Sequence, residues 1–345
     1  MSLHVHRLRP VVGTVLLALL VTACSEEGGS GDSATQDAVS FEVTAASSLT
    51  AADTSFFVAA DEDLFADHGV ELDEVPVNGT APALAGMSNG SIDVVDASPF
   101  TVAKANQEGM DLRFFCGTLN VNWPGYLAPA GTDLASADDA DFETAVQGLR
   151  GKTIGVGAIG GGQQAISDSI LGSAGVEPSE VQYVAVGFGE GAIGQLEAGN
   201  VDVVLTYPFL TQQAGDRGTV IVDVPQHAPD ELRGAMNAGW VAPQDWLDAN
   251  PEAAEAFCDA LGDGVSFVQD PENATRTGEI LSERFGLSGI SVEDELLGEG
   301  KPLSLLTNEL DCGSLEQALA IGLEQAQFAA EPAQTCDNLL WQPAG

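Results

Sequence analysis

The amino-acid sequence predicts an α/β fold of two lobes, each holding a mainly parallel sheet, built on an internal β-α-β-α-β duplication and closed by a helical C-terminal third. Three observations carry this. Residues 83–100 align without gaps to residues 192–209 at a constant offset of 109, with seven identities: Ala83/Ala192, Gly90/Gly199, Asp93/Asp202, Val94/Val203, Val95/Val204, Pro99/Pro208 and Phe100/Phe209. Strand-like runs precede each copy, and from Pro251 onward the pattern turns helical. Composition fits a packed core, since 44% of residues are hydrophobic and only 18% charged.

Charge removes whole classes of function. Eleven Lys+Arg against 52 Asp+Glu give a net charge of -41, which cannot supply the basic groove that nucleic acid requires and is repelled by anionic lipid. In chain order, His4, His6, Arg7 and Arg9 precede an apolar run at 11–21 that reads as a secretion signal over residues 1–23. A bilayer span needs about 20 apolar residues, so this run is not an anchor in itself. Leu20-Val21-Thr22-Ala23-Cys24 resembles the lipobox of bacterial lipoproteins, which implies cleavage before Cys24 and lipidation of its thiol. Residues 24–40 then form a polar, Gly/Ser-rich tether. Four further cysteines, Cys116, Cys258, Cys312 and Cys336, would lie in an oxidising compartment and allow two disulfides in any of three pairings.

Each repeat reads as helix, glycine turn, buried strand and proline stop. Gly90 and Gly199 end helices, the Asp-Val-Val run suits a sheet, and Pro99 and Pro208 cannot continue a ladder. Candidate strands are 41–46 and 72–77 in the first half and 152–156 and 181–186 in the second. His68 is read as the cap of the helix before Gly69, 133–144 as an acidic surface loop, and 252–268, 274–285 and 314–329 as helices. The lobes are placed at 41–115 (first lobe, first part), 116–220 (second lobe) and 221–345 (return to the first lobe), the crossing falling between about 219 and 241.

No catalytic constellation emerges. Gly155, Gly157 and Gly160 match G-x-G-x-x-G between a strand and a helix, but the acidic residue wanted after the next strand is missing, since that strand ends at Gly187. A dinucleotide-binding enzyme using residues 155–160 is therefore only the alternative reading. Gly151-Lys152-Thr153 is no P-loop, because Val146 stands where its first glycine belongs. Gly86-Met87-Ser88-Asn89-Gly90 matches G-x-S-x-G at a helix-to-strand turn, the reverse of a nucleophile elbow. Neither His68 nor His227 has ligand spacing to a second metal ligand. No cofactor or metal is expected.

Ser55-Phe56-Phe57-Val58-Ala59-Ala60 with Leu64-Phe65, then Gly90-Ser91-Ile92-Asp93, then the run from Leu149 to Val156, and Asn250-Pro251-Glu252 follow one another over nearly 300 residues. In that order they resemble the solute-binding proteins of ABC importers, the type II periplasmic-binding-protein group that handles nitrate, sulfonates, taurine and thiamine-precursor pyrimidines. The resemblance implies a monomer that captures a small molecule between two closing lobes and passes it to a membrane permease driven by a separate ATPase subunit, without catalysis.

Ligands on such sheets bind beyond the carboxyl ends of the strands. The candidate contacts are accordingly Thr54, Ser55, Asn78, Gly79, Thr80, Asp96 and Ser98 from the first lobe. Gly160, Gly161, Gly162, Gln163, Phe188, Gly189 and Tyr207 come from the second, with Trp123 placed near the hinge to stack on a planar ligand. None is basic. Asp96, the aromatic rings and the amides of Asn78 and Gln163 suit a neutral or weakly basic heteroaromatic such as a pyrimidine better than a small oxyanion.

Overall fold

Among the described residues ten strands form, in the order β1 Phe41–Ser47, β2 Val70–Pro76, β3 Val94–Ala97, β4 Leu112–Leu119, β5 Gly125–Pro129, β6 Thr153–Val156, β7 Gln182–Ala185, β8 Val203–Thr206, β9 Gly218–Asp223 and β10 Ala238–Pro243. They assemble into two five-stranded sheets, β2-β1-β3-β10-β4 and β7-β6-β8-β5-β9. The computed structural model describes residues 40–47, 50–77, 79–122, 124–187, 189–287, 290–298 and 301–342. The signal segment, Cys24 and nearly all of the tether lie outside these residues, as do Asn78, Trp123 and Phe188. Residues Val39–Gly345 cluster as one compact unit.

The duplication is a duplication of contacts. The Asp93 carboxylate accepts the Thr44 amide at 2.9 Å, and the Asp93 amide donates back to the Thr44 carbonyl at 2.9 Å. At the same offset, the Asp202 carboxylate accepts the Thr153 amide at 2.8 Å and its amide returns to the Thr153 carbonyl at 2.8 Å. The repeated aspartate thus locks the first strand of each unit to its third. Strands β1, β2 and β3 pair in parallel, as do β6, β7 and β8.

In each sheet one strand runs against the rest, which the sequence pattern did not show. Strand β10 pairs antiparallel with both β3 and β4, and β5 with both β8 and β9. The chain moves from one sheet to the other after Leu119 and returns after Asp223, so Cys116 belongs to the first sheet and Val220 to the second, a few residues off the expected divisions at 116 and 220. The expected loop 133–144 is also interrupted. Asp141 accepts the Thr144 amide at 2.7 Å and starts the helix Phe142–Gln147, whose Phe142 is buried. The last long helix is Cys312–Glu324 rather than 314–329.

The C-terminal helices cover the first sheet. Pro251–Gln269 packs on the helix Thr54–Asp61 so closely that a methyl group on Gly264 would stand 2.4 Å from the Ser55 carbonyl. Between them lies an aromatic core in which Trp240 sits 4.8 Å from Phe56 and 5.0 Å from Phe257, and Phe65 sits 4.9 Å from Phe257. Burying rings of this size contributes roughly 1.5–3 kcal/mol apiece in transfer free energy. Two disulfides fix the arrangement: Cys116–Cys258 ties β4 to this helix, and Cys312–Cys336 ties the last two helices. His68 follows the helix Leu64–Asp67 as expected and pairs with Asp263 at 2.8 Å. No helix among the described residues is long and apolar enough to cross a membrane.

Candidate functional site

A cavity of about 80 Å³ lies where the ends of the two sheets meet. The loop after β1 contributes Thr50, Ala51 and Ala52; the loop after β2 contributes Gly79 and Thr80; the end of β3 contributes Asp96, Ala97 and Ser98. From the second sheet come Ala158, Gly161, Gly162, Gln163 and Ile166 after β6, and Thr206 and Tyr207 after β8. Pro124, Asn237 and Ala238 complete the wall from the two passages between the sheets. Parallel β-α units put strand carboxyl ends and helix amino ends on one side, which is why these loops converge.

Eight expected contacts are gathered here: Gly79, Thr80, Asp96, Ser98, Gly161, Gly162, Gln163 and Tyr207. Thr54 and Ser55 are not. Their helix is preceded by a short turn, Ala51–Asp53, so the cavity meets residues 50–52, while Thr54 donates to the Ala51 carbonyl at 2.7 Å and both side chains are buried away from it. Gly160 lies in an adjoining groove of about 300 Å³ that shares Thr80 and Gly161 with the cavity. Gly189 sits behind Tyr207, donating to its hydroxyl at 3.3 Å, with no room for a side chain because a methyl group would meet the Phe285 carbonyl at 2.6 Å. Asn237, Thr50 and Pro124 are wall residues that the sequence reading missed.

The dominant charge is Asp96. It is 5% exposed, and its Oδ2 accepts the Thr118 hydroxyl at 2.6 Å. Burial pushes its carboxyl up to about 6, opposed by the Thr118 hydrogen bond. Behind it Asp53 is completely buried; burial first, and then the Asp96 charge, hold its carboxyl well above the usual range. Asp53 Oδ1 has no partner among the described residues, and its Oδ2 takes the Thr50 hydroxyl at 3.0 Å. Two neighbouring buried carboxyls resist ionising together, each raising the other's hold on its proton. None of the described lining residues is Lys, Arg, His or Cys.

The remaining polar groups are amides and helix ends. Gln163 Oε1 accepts the Gly157 amide at 2.7 Å, which fixes the side chain and leaves its NH₂ for the cavity. Asn237 donates through Nδ2 to Asn122 Oδ1 at 3.2 Å, leaving its own Oδ1 as an acceptor. Ser98 caps the helix Pro99–Gln107 by accepting the Thr101 amide at 3.3 Å. The helices Thr80–Asn89 and Gly162–Ser173 start at the cavity with no side-chain cap, so their first amides are unmatched by protein side chains. Tyr207 is 6% exposed, and burial raises its hydroxyl above its ordinary value.

The glycine motif is explained locally. A methyl group on Gly155 would fall 2.9 Å from Val204 and 3.0 Å from Val186, a packing constraint inside the sheet, and Gly160 has φ +73°, which a glycine adopts without strain. Among the described residues no cluster of His, Cys, Asp and Glu is placed to hold a metal ion.

A family model described as NMT1/THI5 like matches residues 51–274. No curated protein matches the sequence. Among solved structures, a Bordetella bronchiseptica RB50 protein is similar at a TM-score of 0.68 and 21% identity, over 88% of this chain and 95% of that one. The alkanesulfonate-binding protein SsuA of Xanthomonas axonopodis pv. citri, bound to MOPS, gives 0.66 and 14% over 88% and 98%. The periplasmic nitrate-binding protein NrtA of Synechocystis PCC 6803 gives 0.65 and 15% over 86% and 84%. The desulfurization enzyme DSZB shares the architecture at 0.56 and 14%, over 87% and 96%.

Proposed function

The chain belongs to the NMT1/THI5-like family, and from that premise we propose that it is an extracytoplasmic solute-binding lipoprotein. In this reading it is anchored through Cys24, captures a small polar or heteroaromatic molecule between two lobes, and delivers it to an ABC import permease. The observation that carries this is the cavity between the two sheets, walled by loops from both and by the two passages that join them. A site so divided changes shape whenever the lobes move, which couples occupancy to a surface that a permease reads. Asp96 supports a ligand that donates hydrogen bonds, such as an aminopyrimidine, and the lack of lining Lys or Arg speaks against a simple anion.

The oxyanion reading keeps one observation in its favour, the two uncapped helix starts. The dinucleotide reading has less support, because packing against Val204 and Val186 accounts for Gly155 and the strand after the motif, Gln182–Ala185, ends without an acidic residue. Nucleophilic catalysis of the kind that uses Cys or His finds neither in the wall; the four described cysteines are all in disulfides.

Native mass spectrometry of the protein purified gently from cells tests the reading, followed by thermal-shift titration with heteroaromatics and small anions. A bound mass, and a melting temperature that rises with the logarithm of its concentration, is the expected result. A protein that carries nothing and responds to no compound overturns it. Intact mass of the membrane fraction tests the lipid on Cys24 separately.

A further inference from the structure

Two helices that bring the second sheet's share of the wall to the cavity are each fastened, farther along, to the C-terminal third of the chain. Gly162–Ser173 opens with Gly162 and Gln163 in the wall, and Pro208–Ala214 starts directly after Tyr207. Glutamine side chains make both fastenings. Neither Gln325 nor Gln212, the principal residue of each, lines the cavity.

On one flank, Gln325, just past the helix Cys312–Glu324, donates through Nε2 to the Ser169 carbonyl at 3.0 Å, and Gln327 donates to the Ala165 carbonyl at 3.4 Å. Gly172 permits the approach, since a methyl group there would stand 2.7 Å from Gln325 Nε2. This clip is anchored on the first sheet's side. Gln107, at the end of Pro99–Gln107, accepts the Ala329 amide at 2.9 Å and donates to its carbonyl at 2.6 Å, while Leu315, Ala318 and Leu319 share a core with Phe100.

On the other flank, Gln212 clasps Ser291 in both directions, its Nε2 donating to the carbonyl at 3.0 Å and its Oε1 accepting the amide at 2.7 Å. The segment is seated on the helix Ala274–Phe285, where a methyl group on Gly278 would stand 2.9 Å from the Ile290 carbonyl. That helix packs on Thr54–Asp61, and its Phe285 reaches across to Phe209, 4.8 Å between ring centres.

We propose that these two clips hold the cleft closed without solute, and that Gln325 and Gln212 are positioning residues that set the distance between the two halves of the wall. Opening moves the second sheet's helices away from the C-terminal third and breaks both clips. Each is weak, because water replaces such hydrogen bonds readily. Gln325 Oε1 is moreover buried with no partner among the described residues, a penalty that lasts only while the cleft is shut. Closure is therefore favoured but reversible, and a solute finds its site formed in most molecules and waits on release of the clips to enter. The proposal rests on the two-lobed reading of the cavity, though not on any particular solute.

The test is the distance between spin labels at Glu71→Cys and Gln182→Cys, exposed positions on the outer strands β2 and β7, measured by electron double resonance. It uses full-length protein that native mass spectrometry shows to be empty. This labelled parent should give a single short distance. Adding Gln212→Glu and Gln325→Glu keeps the side-chain size but turns each donor into a carboxylate oxygen facing a carbonyl. The pair should raise the ratio of open to closed molecules at least about tenfold and add a longer distance. A role in packing alone leaves the distance unchanged in these variants of equal size. Should the variants misfold, the empty parent still decides. A parent that is mostly open overturns the proposal, as does a double variant with the parent's distance, and neither result touches the solute-binding reading. A parent that is shut and variants that open, in a protein that no compound binds, would uphold the clips and remove the solute.

Discussion

The side-chain amide of Asn237 donates to Asn122 Oδ1 at 3.2 Å, joining the two passages of chain that connect the sheets. Both residues are buried, and backbone bonds from Asn122 to the Arg233 carbonyl and from Asn237 to the Leu119 carbonyl, each 2.9 Å, hold the passages side by side. Asn122→Ala leaves a buried donor unmatched and should lower stability by about 1–3 kcal/mol in urea unfolding. An unchanged urea midpoint would mean that the contact is not made in solution.

Asp96 should cost stability in the ligand-free protein. Its folded-state carboxyl is raised to about 6 from 3.8, so the fold holds this proton more tightly than the unfolded chain does. Its relative contribution is therefore fully present below about pH 4 and is lost as pH rises through 6. Asp96→Asn should be more stable than wild type at pH 7.5 by roughly 1–3 kcal/mol, an advantage that shrinks toward zero between pH 6 and 4. Denaturant melts of both proteins across that window check it; a constant difference at every pH contradicts it.

The disulfides differ in the loops they close. Cys116–Cys258 spans 142 residues and Cys312–Cys336 spans 24. Chain entropy assigns about 3–5 kcal/mol to closures of these lengths, more to the longer. Replacing the first pair with alanine should lower the melting temperature more than replacing the second, as read by calorimetry under oxidising conditions. The reverse order would show that native packing, not loop length, sets their worth.

Two helical glycines separate packing from propensity. Gly264→Ala would push a methyl group to 2.4 Å from the Ser55 carbonyl, and should cost upward of about 2 kcal/mol through backbone displacement. Gly194, in the helix Glu190–Glu197, has nothing within 4 Å of an added methyl group, and Gly194→Ala should stabilise by about 0.5–1 kcal/mol. Thermal melts of the pair should move in opposite directions.

The parallel strands were legible because each needs its neighbour's pattern: Asp93 and Asp202 recur with the same valines, and make the same bonds. The antiparallel strands were not. Strands β5 and β10 lie inside their sheets but outside the two duplicated β-α-β-α-β segments, so no repeated pattern marked them. The same fact explains the missed wall residues. Parallel strands meet the cleft at the loops that follow them, but in a strand that runs backward the cleft end is its beginning, and Pro124 precedes β5 as Asn237 precedes β10. Thr54 and Ser55 were displaced by a single extra turn, Ala51–Asp53, whose signal in the sequence is the capping-box pair Thr50 and Asp53.

The insertion of β10 between β3 and β4 also sets an order of events in a growing chain. Every strand of the second sheet is contained in residues 125–223, whereas the first sheet lacks its inner strand until residues 238–243 have been made. The half that begins later is thus the first that can finish. Until then β3 and β4 present unsatisfied edges, the kind that invite pairing with other chains, so folding must keep them apart from their neighbours until the inner strand has been made.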